Sequence, residues 1–161
     1  MPNADEWYKA AYYDPINNVY YNYATGSDSL PTSVSSGTAP GTAVYGKQMS
    51  HGPADVTLAG GLSPYGTMGQ NGNVFEWQEE ARVPRIGQFD TYYIRGGSWE
   101  GSFDTLMQSS QRGVGNPTFD FHGVIGLRVS SIAVPEPSGL LLIGASTFVL
   151  FVRRGSICSL R

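Results

Sequence analysis

Cysteine is almost missing from this chain. Cys158 stands alone, so no internal disulfide can form and no cysteine-based zinc site can be assembled. Charge is scarce as well: 14% of the residues are Asp, Glu, Lys or Arg, too few for a helical bundle with solvated faces. Positive charge is scarcest. Residues 1–134 carry seven basic and twelve acidic side chains, a net charge of −5. No basic patch lies outside the C-terminal tail, so nucleic acid is not an expected partner. A nucleophile elbow is lacking, and the N-terminus does not have the form of a signal peptide.

Glycine (21) and tyrosine (10) are abundant, and 40% of the chain is hydrophobic. That composition excludes disorder and suits a loop-rich fold packed with aromatic rings. A length of 161 residues suffices for a single core.

The chain is organised around residues 71–99. Asn71-Gly72 is a turn dipeptide. After Asn73 the residues alternate, with Val74 and Glu76 on one side and Phe75 and Trp77 on the other. This predicts a short strand with an aromatic face inward and a carboxylate on the opposite face. Tyr92-Tyr93-Ile94-Arg95 reads as a second strand. Gly96-Gly97 ends it and allows another backbone or a ligand to approach, with Ser98 and Trp99 beside the gap.

Upstream, residues 1–13 read as a helix capped by Asn3, with Glu6 completing a capping box. Its apolar stripe is Trp7, Ala10 and Ala11, and Asp14-Pro15 ends it. Val19 to Tyr23 reads as a strand. The Ser-, Thr-, Pro- and Gly-rich residues 27–46 read as loop. His51, in a Gly/Pro loop, is expected to be solvated. Residues 78–90, with Glu79, Glu80, Arg82 and Arg85, read as a solvated, mutually compensated loop. Leu106 and Met107 are core candidates. His122 precedes the last strand, and Arg128 lies on it, with Glu76 as its expected partner.

Asn71-Gly72-Asn73-Val74-Phe75-Glu76-Trp77, Arg95-Gly96-Gly97-Ser98-Trp99, Gly126-Leu127-Arg128-Val129 and Met1-Pro2-Asn3-Ala4-Asp5-Glu6-Trp7 together resemble signature words of the formylglycine-generating enzyme (sulfatase-modifying factor) family. Phe75 stands where that family has a Trp. The resemblance covers about residues 1–131 and implies an α+β, C-type-lectin-like, loop-rich fold. Because the Met1–Trp7 word lies near the middle of the family domain, it also implies an N-terminally truncated domain.

The remainder, residues 132–161, is different. Val134-Pro135-Glu136-Pro137 is a rigid spacer, the run from Ser138 to Val152 is uncharged and apolar, and Arg153-Arg154 stops it. This order resembles a PEP-CTERM sorting signal. It implies a C-terminal membrane helix over residues 138–152, a sorting peptidase acting at Pro135-Glu136-Pro137, and residues 1–134 on the outer side. The segment from Gly155 to Arg161 departs from that pattern. A genuine start at Met1 would instead imply a cytoplasmic protein.

The resembled enzyme oxidises a client cysteine with copper(I) held by two thiolates. Counted from Gly-Gly-Ser, those positions are Gly101 and Leu106 here, so copper is not expected. Ser98 matches the family's active-site Ser but lacks partners. The family's calcium site survives in part: carbonyls of Gly72 and Val74 and the carboxylate of Glu76 are the candidate ligands, with Gly69 where a further ligand would stand. The expectation is an exported, surface-anchored, non-catalytic binding domain, with a glycan or envelope polymer as ligand by fold analogy. The alternatives are an enzyme with altered, non-copper chemistry, and a non-functional gene fragment.

Overall fold

The computed structural model describes residues 1–48, 50–82, 91–101, 104–118 and 123–131. The chain divides into two units, Met1–Ser130 and Ser131–Arg161, and every element below belongs to the first. Among the described residues, no helix is long and apolar enough to cross a membrane. The apolar run at residues 138–152, the Pro-Glu-Pro spacer and His122 lie outside the described residues.

The N-terminal helix forms where its caps dictate. Helix α1 (Ala4–Tyr12) starts from Asn3, whose side chain accepts from the Glu6 N–H while the Glu6 carboxylate accepts from the Asn3 N–H. That reciprocal pair satisfies two donors the helix cannot use internally. Trp7, Ala11 and Tyr12 form its buried face. The chain then turns through an antiparallel pair of two-residue strands, β1 (Tyr13–Asp14) and β2 (Val19–Tyr20). The strand expected from Val19 to Tyr23 is thus cut to its first two residues.

Residues 27–46 are not pure loop. Strands β3 (Thr32–Val34) and β4 (Thr42–Val44) pair in parallel, and Ala43 and Val44 are fully buried. Three-residue strands are too short to show alternation, which is why composition alone reads as loop there.

The main sheet has four strands in the order β7-β6-β5-β8. They are β5 (Phe75–Arg82), β6 (Thr91–Arg95), β7 (Gly113–Gly115) and β8 (Ile125–Gly126). Strand β5 runs into the stretch expected to be a loop from Gln78, with an irregularity of register between Trp77 and Ala81. Strand β8 is shorter than expected and pairs in parallel with β5; Arg128 lies two residues beyond it.

The fold is therefore α+β with strands dominating. The central turn is its junction. Asn71 Oδ1 accepts from the Ala24 N–H (3.2 Å) and Asn73 Oδ1 from the Ala54 N–H (2.8 Å). The backbone N–H of Asn73 donates to Val44 O (2.7 Å), and that of Gly72 to Gly96 O (2.6 Å). At Gly72, with φ +72°, a Cβ would collide with the Val44 carbonyl. Only glycine permits both the left-handed turn and that approach.

Candidate functional site

The two faces of the main sheet differ in chemistry. One face receives α1. There Glu76, 5% exposed, sits at the centre of a polar cluster. Its Oε2 accepts from Trp7 Nε1 (2.6 Å) and Arg128 Nε (3.0 Å), and its Oε1 accepts from Arg128 Nη2 (2.7 Å). Nη2 also donates to Met68 O at 2.6 Å. Arg128 and Glu76 thus form the expected pair in fork-to-fork geometry, although Arg128 lies beyond the strand.

This arrangement does not fit calcium. The one carboxylate in the set Gly72, Val74 and Glu76 accepts three donors, two of them from a guanidinium. Gly69 supplies no ligand atom from a side chain, and a Cβ there would lie 4.0 Å from Arg128 Nη2. A divalent cation ligated by Glu76 would have to share that carboxylate with the Arg128 guanidinium, whose charge opposes it. Among the described residues, no group of three or more His, Cys, Asp or Glu side chains comes together.

The other face carries a cleft of about 400 Å³. Its floor is built from all four strands: Phe75, Ile94, Gly113 and Ile125. Ser98, Glu100 and Leu106 lie around it, together with Val114 and Val124. Glycines make the space. A Cβ at Gly113 would meet Ile94 Cγ1 at 3.1 Å, and one at Gly115 would meet the Trp77 ring at 2.6 Å. Trp77 lies over Gly115 and is half-buried, while Trp7 on the opposite face is fully buried.

Gly96-Gly97 places Ser98 at this cleft. The pair is squeezed between a backbone and a core side chain: a Cβ on Gly96 would lie 3.1 Å from Gln70 O, and one on Gly97 2.5 Å from Met107 Cγ. Met107 is fully buried at the end of a 3-10 turn (Asp104–Met107), whereas Leu106 beside it turns to the cleft. The Trp99 N–H donates to Asn73 O at 2.7 Å, tying the segment to the central turn.

Of the residues singled out for chemistry, Ser98 and Leu106 meet at this cleft. Gly101, half-buried with φ +69°, is not part of its lining. Ser98 is 3% exposed, and among the described residues its hydroxyl donates a long 3.5 Å bond to Glu100 O. No His is in reach of it among the described residues, and His51 is exposed in its loop. An apolar cleft of this size with one hydroxyl and one carboxylate is suited to holding a ligand. Among the described residues, no His reaches the serine to serve as its base. Sequence reasoning missed Phe75, Ile94, Gly113 and Ile125 as neighbours; the Gly-Val-Gly spacing of β7 was the available sign of a close approach.

No protein-family model matches the chain, and no curated protein is significantly similar to it. Among solved structures it is similar to Treponema denticola variable protein 1 and to CarF. Each comparison gives a TM-score of 0.51 and 23% sequence identity over 79% of this chain. The chain spans 45% of the length of each of those structures. At that identity the likeness shows a shared fold alone.

Proposed function

We propose that residues 1–131 form an exported, surface-anchored binding domain without catalysis, built on a C-type-lectin-like fold of formylglycine-generating-enzyme type. The observation that carries the reading is the cleft beside Ser98. Where the resembled enzymes hold copper with two thiolates, this chain has Gly101 and Leu106, and Leu106 gives the cleft an apolar wall. Soft-metal oxidation lacks both thiolates at those positions; an apolar group has a complementary surface.

The test has two arms. The neutral probe N-phenyl-1-naphthylamine should gain fluorescence on the wild-type protein and lose that gain on Leu106→Trp, which fills the cleft. Incubation with copper(I) and a sulfatase-motif peptide should yield no formylglycine by mass. Detection of formylglycine would replace this reading with an enzymatic one, for which Ser98 at the cleft is the motivating residue.

Anchoring rests on the Val134-Pro135-Glu136-Pro137 spacer, the apolar run from Ser138 to Val152 and Arg153-Arg154. In an export-competent form these residues should carry the protein to the membrane fraction. Leu141→Asp with Leu150→Asp should release it, adding about 5–7 kcal/mol to insertion if both sit near the helix centre. A wild-type protein that is soluble and uncut at Pro135-Glu136-Pro137 would remove the anchored reading.

A further inference from the structure

Four of the ten tyrosines, none of them lining the cleft, meet on one surface. Tyr8 lies on α1, Tyr13 on β1, Tyr20 on β2, and Tyr65 in the turn before the central stretch. Their ring centroids follow one another at 5.5 Å (Tyr8–Tyr20), 4.9 Å (Tyr20–Tyr13) and 6.1 Å (Tyr13–Tyr65), with interplanar angles of 37°, 45° and 36°. Tyr20 is 52% exposed and Tyr65 44%, while Tyr8 and Tyr13 are half-buried. Ile16, Val19 and Leu62, neighbours of these tyrosines in sequence, are exposed as well. Scattered exposed apolar residues need no explanation, but a continuous row of rings marks an interaction surface.

The row is held in place before any partner arrives. Tyr13 and Tyr20 are register partners across β1 and β2. The Tyr13 hydroxyl donates to Asn18 Oδ1 at 2.6 Å. Tyr8 packs edge-on to fully buried Tyr12 at 5.0 Å, and the Arg95 guanidinium lies 5.4 Å from the Tyr8 ring centre. Rings fixed in this way lose little conformational freedom on binding.

We propose that this tyrosine row is the docking surface for a neutral polysaccharide chain. The charge of the surface selects that class. Lys9, its Nζ 5.5 Å from the Tyr13 ring centre, is the exposed cation beside the row among the described residues, since Arg95 next to Tyr8 is buried and donates to backbone carbonyls. The Asp14 carboxylate is occupied by the backbone N–H groups of Ile16 and Asn17 and by the Asn17 amide. A polyphosphate would find one exposed cation on an acidic protein, and a basic partner would find the Asp14 carboxylate already committed to its own turn. A pyranose ring presents C–H groups on its faces and hydroxyls at its edges. The phenol rings match this with apolar faces and hydroxyl tips, and Asn17 and Asn18 add amides alongside. The ring centres recur at roughly the spacing of linked sugars, which favours a chain over a single residue. The inference gives the surface-binding reading a ligand site apart from the cleft, and it rests on that reading only for where the polymer is met.

Affinity electrophoresis of the full chain, in gels containing hydroxyethylcellulose, laminarin or dextran, tests it. At least one polymer should retard the wild type. Tyr20→Ala and Tyr65→Ala should each weaken retardation about tenfold, with melting temperatures unchanged because both side chains are exposed. Tyr20→Trp should restore a stacking face and keep binding. Leu106→Trp, which fills the cleft, should bind as the wild type does, so a failure of the cleft reading leaves this result standing. Retardation by none of the three polymers would overturn the proposal. So would retardation that survives the double Tyr20→Ala, Tyr65→Ala change, or that is lost in Leu106→Trp. A wild-type dimer that the double change converts to monomer, with no polymer bound, would identify a second copy as the occupant and overturn it too.

Discussion

Glu76 and Arg95 are register partners across β5 and β6, yet their side chains do not pair. The Glu76 carboxylate goes to Arg128 and Trp7. The Arg95 guanidinium, 8% exposed, donates from Nη1 to the carbonyls of Ser109 (2.9 Å) and Gln111 (2.8 Å). Burial pushes Arg95 below its usual pKa, partly offset by Tyr12. The same burial pushes the Tyr12 hydroxyl well above its ordinary value. One face of the sheet thus holds two guanidinium groups and one carboxylate, with backbone carbonyls and a tyrosine ring serving the second cation.

Arg128→Ala should cost about 3 kcal/mol, because it leaves a buried carboxylate with Trp7 as its remaining side-chain donor. Urea titration at neutral pH measures this, and a midpoint equal to that of the wild type would show that the pair contributes nothing net. Calcium at about 1 mM should leave the melting temperature unchanged, since Glu76 is committed to Arg128. A rise on adding calcium would restore the Gly72, Val74 and Glu76 site.

Trp7→Ala should destabilise the fold by about 3–5 kcal/mol, through a cavity beneath α1 and a lost donor to Glu76. Trp77→Ala should cost less, because that ring keeps part of its solvent contact over Gly115. Denaturation of the two variants side by side decides the order, and a larger loss for Trp77 would contradict the burial described.

Gly72 and Gly41 share a φ of +72°, which makes them a matched pair. Gly41 has open space where a Cβ would go, while Gly72 faces the Val44 carbonyl. Gly41→Ala should therefore cost only the strain of the left-handed conformation, about 1–2 kcal/mol. Gly72→Ala should yield little folded protein. Equal melting temperatures would show that the central turn can open without loss.

Acid should weaken the fold from about pH 4 downward. The side-chain amide and backbone N–H of Asn17, with the Ile16 N–H, hold Asp14 below the ordinary carboxylate value of 3.8. The Thr57 hydroxyl and N–H do the same for Asp55. A depressed carboxyl stabilises the folded state above its unfolded value, and that contribution is lost as pH falls through the folded value. Asp14→Asn should flatten the stability profile between pH 5 and pH 3 (approximate limits). An unaltered slope in melts across that range would assign the acid sensitivity elsewhere.

Local chemistry was legible in the sequence. Asn3 and Glu6 lie three residues apart, so their capping box could be read directly. The Asn71-Gly72 turn and the strand from Tyr92 to Arg95 also follow from short-range pattern. What escaped was decided by distance along the chain. The hydrogen bond from Trp7 to Glu76 joins residues 69 positions apart, and nothing near Trp7 marks it as more deeply buried than Trp77. The cleft floor draws one or two residues from each of four strands, so no spacing announces it. Strands β3 and β4 owe their pairing to each other rather than to a periodic pattern of their own.

The chain of bonds from Trp7 through Glu76 to Arg128 also ties together the two ends of the first unit. Helix α1 is capped locally, but at nine residues it depends on burying Trp7, Ala11 and Tyr12 for its stability. The Glu76 carboxylate cannot be neutralised until Arg128, 52 residues later, has been added. Closing loops of that length carries an entropic cost before any contact rewards it, and topologies rich in such contacts fold in milliseconds to seconds rather than microseconds. The polar cluster beneath α1 is therefore completed only by contacts that span most of Met1–Ser130.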